Sequence, residues 1–108
     1  MNSDEPGIKV VLCTTSGIAE AEKLAGSLVE AKLAACCNII PAIRSVYFWD
    51  GKVRNDEEAL LIIKTADENL QELTQKIKGI HSYDLPEIIS ISVDGGSAEF
   101  IKWVKDNS

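Results

Sequence analysis

The chain has little of what marks a secreted or membrane-spanning protein. Its 108 residues contain one histidine and three cysteines, two of them adjacent at Cys36 and Cys37. An odd cysteine set does not make the paired disulfide framework of a small secreted domain. No apolar run approaches the roughly 18 residues that span a bilayer, and residues 1–7 lack the basic-then-apolar pattern of a secretory signal. We therefore expect reduced thiols, a cytosolic (cytoplasmic) protein and a short flexible tail at 1–7.

Positive charge is also scarce. Eleven lysines and arginines stand against 17 aspartates and glutamates, which gives a formal net charge of −6. Non-specific binding to nucleic acid or to an anionic membrane depends on clustered basic side chains, so neither partner is expected. The sequence is 45% hydrophobic and 26% charged, as in ordinary globular proteins, and we expect a single domain over residues 8–108.

The most informative segment is the uniformly apolar run from Ala59 to Ile63. Alternate side chains of a strand point to opposite faces, so Leu61 takes one face while Leu60 and Ile62 take the other. Near-continuous apolar runs are typical of strands that are covered on both faces. Because so short a chain looks unable to cover both faces of a sheet, we expect copies of the same chain to cover the second face.

The hydrophobic pattern predicts seven elements in the order β-α-β-β-α-β-α. Asp50-Gly51, between two β-rich runs, specifies a two-residue type I′ hairpin, and Pro41 predicts a bend or bulge in the second strand. Thr65 and Glu68 have the spacing of a capping box at the start of the second helix, which Gly79 would end. Strands are expected at 8–13, 33–49, 52–65 and 87–93, and helices from Ile18, after Thr65 and after Ser97.

This order predicts an α+β, ferredoxin-like domain with an extended β-hairpin and a C-terminal helix. Right-handed crossovers place the two main helices on one face of a four-stranded antiparallel sheet and leave the other face bare. Leu60 and Ile62 on that face, with Tyr47, Phe48 and Trp49 on the hairpin, would form an exposed patch large enough to drive association. We expect these five residues in an interface between copies. The three aromatic residues could instead form a ligand platform.

Six segments in order also match a known pattern. They are Val11–Thr15, Leu33–Cys36 with Asn38–Pro41, Ser45–Tyr47 with Trp49–Lys52, Leu61–Thr65, His81–Tyr83 and Pro86–Ile88. On these segments the chain resembles the CutA family, the divalent-cation-tolerance proteins, from about Ile8 to Val104. The resemblance implies a ferredoxin-like subunit in a compact homotrimer, similar in architecture to the PII signalling proteins, with hairpins that reach across to neighbouring subunits. It also implies a link to tolerance of copper and other divalent cations, and no enzymatic reaction is firmly attached to the family.

Cys13 and His81 are the candidate metal ligands. A thiolate with an imidazole suits copper or zinc, and the resemblance implies a copper site with a cysteine at Cys13 and a histidine at His81. Some family members have a second, adjacent histidine where this chain has Ile80, so we expect weak binding of copper(II) or another divalent cation. The alternative is that Cys13 is a small buried hydrophobe and His81 an ordinary loop residue.

Other polar and thiol side chains have a structural alternative of their own. Lys64, Tyr83 and Glu87 lie near strand ends and could line a ligand cleft between subunits, or Lys64 and Glu87 could form an ion pair. Cys36 and Cys37 lack the partners of a tetrahedral metal site, so core packing is favoured for at least one.

Three functions follow. The first is a cytosolic homotrimer for divalent-cation tolerance, and the alternatives are a PII-like small-ligand sensor or a stable trimeric scaffold without ligand. An enzyme is not expected, because Cys13 and His81 lack an orienting third group.

Overall fold

The computed structural model describes residues 6–108 and contains four strands and three α-helices. Of the tail expected at 1–7, residues 1–5 lie outside the described residues, whereas the Gly7 carbonyl accepts a hydrogen bond from the Asp67 N–H. None of the described helices is long and apolar enough to cross a membrane. The elements are β1 (Ile8–Thr15), α1 (Ile18–Glu30), β2 (Cys36–Trp49), β3 (Lys52–Ala66), a 3₁₀ turn (Asp67–Asn69), α2 (Leu70–Ile80), β4 (Ile89–Ser92) and α3 (Ala98–Asp106).

The strands form one antiparallel sheet in the order β2-β3-β1-β4, which confirms the predicted β-α-β-β-α-β arrangement. The ladder between β2 and β3 shifts register between Ile40 and Ile43, where Pro41 interrupts it as expected. Asp50 and Gly51 both have positive φ, at 53° and 73°, which a type I′ turn requires. Before Ala59, β3 pairs with β2 alone, so residues 43–58 form a hairpin that extends past the rest of the sheet.

One face of the sheet is covered by α1 and α2. Leu61 and Ile63 of β3 have no exposed surface and belong to one core cluster with Leu28 of α1 and Ile77 of α2. The amphipathic spacing of both helices presents such side chains to the sheet, and burial of each large one contributes roughly 1.5–3 kcal/mol. The predicted alternation of the run from Ala59 to Ile63 is confirmed.

The opposite face, here called the open face, carries apolar side chains that the chain itself covers only in part. Leu60 and Ile62 are half-buried, and Ile89 and Ile91 of β4 remain 52% and 48% exposed. By register and alternation, the open face comprises Val10, Leu12, Leu60, Ile62, Ile89 and Ile91.

The prediction that this face is entirely bare was wrong at one end. Val104 of α3 packs there in a small cluster with Ile8 and Ala35, because the C-terminal helix folds back onto β1 and β3. The rest of the open face is covered only in part by residues 6–108.

Three local predictions need correction. Thr65 does not cap the second helix. Its buried hydroxyl donates to the Leu33 carbonyl at 2.7 Å instead, and the 3₁₀ turn begins without a side-chain cap. The helix passes through Gly79 and ends at Ile80, since His81 is extended. The second strand begins at Cys36, and the fourth covers Ile89–Ser92 because it pairs only with Lys9–Leu12 of β1.

Candidate functional site

His81 follows the last residue of α2, and its imidazole has no exposed surface. Nε2 lies 2.8 Å from the Thr14 carbonyl, to which it donates, while Nδ1 accepts from the Tyr83 N–H at 3.0 Å. A neutral imidazole with its proton on Nε2 satisfies both bonds. Neither ring nitrogen is left with a lone pair free for a metal ion.

Glu20 holds the loop after His81 against the start of α1. Its carboxylate accepts from the backbone N–H groups of Ser16 at 3.0 Å and of Ser82 at 2.8 Å, and from both serine hydroxyls at 2.9 Å. Partial burial opposes the charged form, but these hydrogen bonds prevail and lower the pKa of Glu20 to about 2, because they favour the ionised carboxylate. The loop is therefore fixed by a charged residue in the first turn of α1.

Cys13 is fully buried in the helix-covered core. Burial, followed by the nearby negative charge of Glu87, raises the pKa of its thiol to about 12. Since the thiolate is the metal-binding form, Cys13 is a poor ligand at neutral pH. Its packing matches the small buried hydrophobe of the alternative interpretation, and its role as a metal ligand stays a prediction.

The predicted copper ligands therefore do not fit a tight metal site within one chain. His81 spends both nitrogens on hydrogen bonds, and Cys13 is held as a protonated thiol. Among residues 6–108, no group of three or more histidine, cysteine or acidic side chains is arranged to hold a metal ion. Cys37 packs against the core as expected, with its thiol pKa raised to about 12 chiefly by burial, and Cys36 is half-buried.

Two of the three predicted cleft residues meet in one groove. Tyr83 and Glu87 line an open groove of about 790 Å³ between the hairpin and the loop at 83–87. Lys64 does not line it. The Lys64 ammonium donates to the Asn38 side-chain oxygen on the neighbouring strand, and it forms no ion pair with Glu87.

Glu58 is the groove residue that sequence reasoning missed. It is 7% exposed, and its Oε2 accepts from the Tyr83 hydroxyl at 2.6 Å. Burial and the bond to Glu58 both raise the pKa of Tyr83 above its usual value. The sequence gives one signal for Glu58. It lies in β3 two residues before Leu60 and therefore on the same, mainly apolar face, where an acidic side chain is unexpected.

The described part of the chain covers the aromatic side chains of the hairpin only in part. Tyr47, Phe48 and Trp49 are 41%, 72% and 49% exposed. Tyr47 and Trp49 line the groove, but Phe48 does not. Their predicted place in an interface and the ligand-platform alternative are therefore both compatible with this exposure.

Comparison with known proteins gives the family. The model of the family described as "CutA1 divalent ion tolerance protein" matches residues 9–107. The chain belongs to the CutA1 family. It is 38% identical over 100 residues to the divalent-cation tolerance protein CutA of Thermus thermophilus, covering 93% of this chain and 97% of that protein. It is 46% identical over 99 residues to the chloroplastic protein CutA 1 of rice, covering 92% of this chain.

CutA1 crystal structures have the same fold. That of Oryza sativa superposes with a TM-score of 0.93 at 43% identity, covering 98% of this chain and 97% of that one. That of Thermus thermophilus superposes with a TM-score of 0.91 at 38% identity, covering 94% and 98%. The chain spans only 56% and 54% of the rice and Arabidopsis CutA proteins, both named as chloroplastic.

Proposed function

We propose that this CutA1-family protein serves divalent-cation tolerance as a cytosolic homotrimer with PII-like architecture, in which the open faces of three copies cover one another. Family membership supports the tolerance role, and the absence of a disulfide among Cys13, Cys36 and Cys37 supports the compartment. The observation that carries the assembly is the half-covered open face. Complete burial of four exposed side chains of this kind is worth roughly 6–12 kcal/mol. Since the chain already covers about half of their surface, association can contribute up to about half of that, which is still large beside the net stability of a domain.

The extended hairpin supports the same assembly. An isolated two-stranded ribbon is at best marginally stable in water, yet residues 43–58 pair only with each other and carry strongly exposed side chains such as Phe48 and Val53, each 72% exposed. Packing against a neighbouring copy would give this ribbon the apolar cover that its own chain lacks.

We propose only weak binding of divalent metal ions, with copper(II) as the first candidate. Contact of an ion with His81 would displace the Tyr83 N–H from Nδ1 or the Thr14 carbonyl from Nε2. Contact with Cys13 would require the loss of a proton from a buried thiol. Both losses reduce affinity, because a ligand atom must be free and deprotonated.

Analytical ultracentrifugation tests the assembly. We expect wild type to sediment as a trimer at micromolar concentration and Ile62→Lys to sediment as a smaller species, since a lysine in the apposed faces would be desolvated. Val29→Lys, on the outer surface of α1, is the matched control and should remain trimeric. A well-folded wild-type monomer would overturn the assembly.

Calorimetric titration with copper(II) tests the metal component. We expect a weak heat in wild type that decreases in Cys13→Ala and in His81→Ala, with Cys36→Ala as the thiol control. Thermal melts establish that each variant is folded. Equal heats in all four proteins would remove Cys13 and His81 from any metal site.

A second candidate function is PII-like sensing of a small ligand, and the groove beside Glu58 favours it. Its volume of about 790 Å³ lies in the range of small-molecule sites, roughly 300–1,000 Å³. A thermal shift with small metabolites and none with metals would favour this candidate. No shift with either would favour the scaffold without ligand.

A further inference from the structure

Glu58 is a buried acid in an unusual setting. Only 7% of its surface is exposed, and within residues 6–108 its carboxylate has one hydrogen-bond donor, the neutral Tyr83 hydroxyl. The ion pairs of that part of the chain do not include it, so no basic nitrogen lies within 4.0 Å. A buried carboxylate ordinarily pairs with a cation or accepts several hydrogen bonds, because burial of an unpaired charge is costly. An ionised carboxylate has about four lone-pair sites, so Glu58 can accept more hydrogen bonds than the one from Tyr83.

The groove that Glu58 lines brings aromatic faces and further negative charge to the same place. Tyr47 and Trp49 line one wall, and the loop residues Asp84 and Glu87 line another. Arg44 is the one basic residue of the lining. With three carboxylates and one guanidinium, the lining has a net formal charge of −2 (1 − 3). A positive ligand is favoured over an anion.

Aromatic faces distinguish an organic cation from a metal ion. An ammonium group is attracted to the face of tryptophan or tyrosine, and its hydrocarbon portion also gains from contact with the ring. A hydrated divalent ion needs several oxygen ligands at fixed geometry. The described residues offer no cluster of three such ligands, whereas one buried carboxylate beside aromatic side chains suits a single ammonium head.

We propose that the groove binds a small organic ammonium ion, with the ammonium group on the free oxygen of Glu58 and the apolar portion against Tyr47 and Trp49. The proposal deepens the ligand-sensing candidate and rests on it, not on metal binding. It takes the ligand-platform interpretation of Tyr47 and Trp49, in which no neighbouring copy covers these two side chains. Tyr83 is a positioning residue, because its hydroxyl fixes the orientation of the carboxylate. Glu20 and Ser82 in turn hold the loop that carries Tyr83.

The test uses 3-methylbutylamine, which is cationic at neutral pH, and its neutral isostere 3-methylbutan-1-ol. Binding to the full-length protein is followed by chemical-shift titration in two-dimensional ¹H–¹⁵N NMR. As amine is added, we expect the amide signals of residues that line the groove to shift until they reach a plateau. The amine should bind at least about tenfold more tightly than the alcohol.

Two variants separate the carboxylate from the overall charge of the protein. Glu58→Gln keeps the shape of the side chain and should weaken binding of the amine at least about tenfold. Glu57→Gln makes the same change in charge one residue away, outside the groove lining, and should leave affinity within about twofold. If Glu58→Gln does not fold, Trp49→Leu, on the exposed hairpin, should weaken the amine several-fold instead.

Equal binding of amine and alcohol, or equal affinity of the Glu58→Gln and Glu57→Gln variants, would overturn the proposal. Absence of amine binding to wild type would overturn it as well, as expected if a basic side chain from a neighbouring copy already occupied Glu58. A trimer that binds copper weakly but no amine would refute only this inference.

Discussion

The two faces of β3 have nearly the same composition but different surroundings. Leu61 and Ile63 have no exposed surface beneath α1 and α2, whereas Leu60 and Ile62, their immediate neighbours, are half-buried on the open face. Apolar composition indicates that a face favours burial, but not what covers it. The difference between the faces teaches that the fold of one chain accounts for only half of this strand's sequence.

The largest expected effect is loss of packing on the helix-covered face. Leu61→Ala should lower the free energy of unfolding by about 2–5 kcal/mol, because it leaves a cavity in the core. The effect should not depend on protein concentration, since the cover belongs to the same chain. Chemical denaturation at two protein concentrations measures it.

Leu60→Ala is the matched control on the open face. We expect its cost to be small in dilute protein and to grow with concentration as copies associate. Equal costs for the Leu60 and Leu61 variants at every concentration would contradict the distinction between the two faces.

A smaller effect is expected at Glu20, which holds the loop after His81. That loop joins the helix-covered side to the groove. Glu20→Gln keeps the size but replaces a carboxylate that accepts from Ser16 and Ser82, so we expect a loss of about 1–3 kcal/mol. The exposed Glu22, on the same helix, provides the control Glu22→Gln, which should have little effect. Urea denaturation of the three proteins measures the difference.

The pH dependence of the Glu20 contribution follows from the sign of its pKa shift. The folded-state pKa of about 2 lies below the ordinary value of 4.5. The contribution is therefore complete above about pH 4.5 and is lost as the pH falls toward 2, because the unfolded state binds the proton first. The difference in the free energy of unfolding between wild type and Glu20→Gln should therefore decrease over that pH interval. A gap that stays constant from pH 7 to about pH 2 would show that the charge of Glu20 is not responsible.

The sequence predicted the topology because the topology depends on local signals. Apolar alternation, the Asp50-Gly51 turn and the Pro41 interruption each act within a few residues. Thr65 shows the limit. Its spacing to Glu68 matched a capping box, but its hydroxyl is buried and bonds to the Leu33 carbonyl, a partner 32 residues away in sequence.

The candidate site was less predictable for the same reason. Cys13 and His81 have the chemistry of metal ligands, but burial and hydrogen bonds to distant residues determine whether their lone pairs are free. Glu58 was missed because nothing in the sequence near it specifies that Tyr83 will meet it. Residue type indicates which chemistry is available, and the tertiary surroundings decide whether it can be used.

The mildest test compares thiols on the two faces without a mutation. Cys13 and Cys37 pack in the helix-covered core, where burial raises both thiol pKa values to about 12, so both thiols are almost entirely protonated at pH 8. Cys36 is half-buried and, by its register opposite Lys64, lies on the other face. Native protein treated with iodoacetamide should be alkylated first at Cys36, with mass spectrometry of tryptic peptides identifying the site.

If copies cover the open face, alkylation of Cys36 should accelerate on dilution or in Ile62→Lys, while Cys13 stays unmodified until unfolding. Modification of Cys13 ahead of Cys36 would refute the assignment of the two faces, because the faster thiol would then lie under the helices.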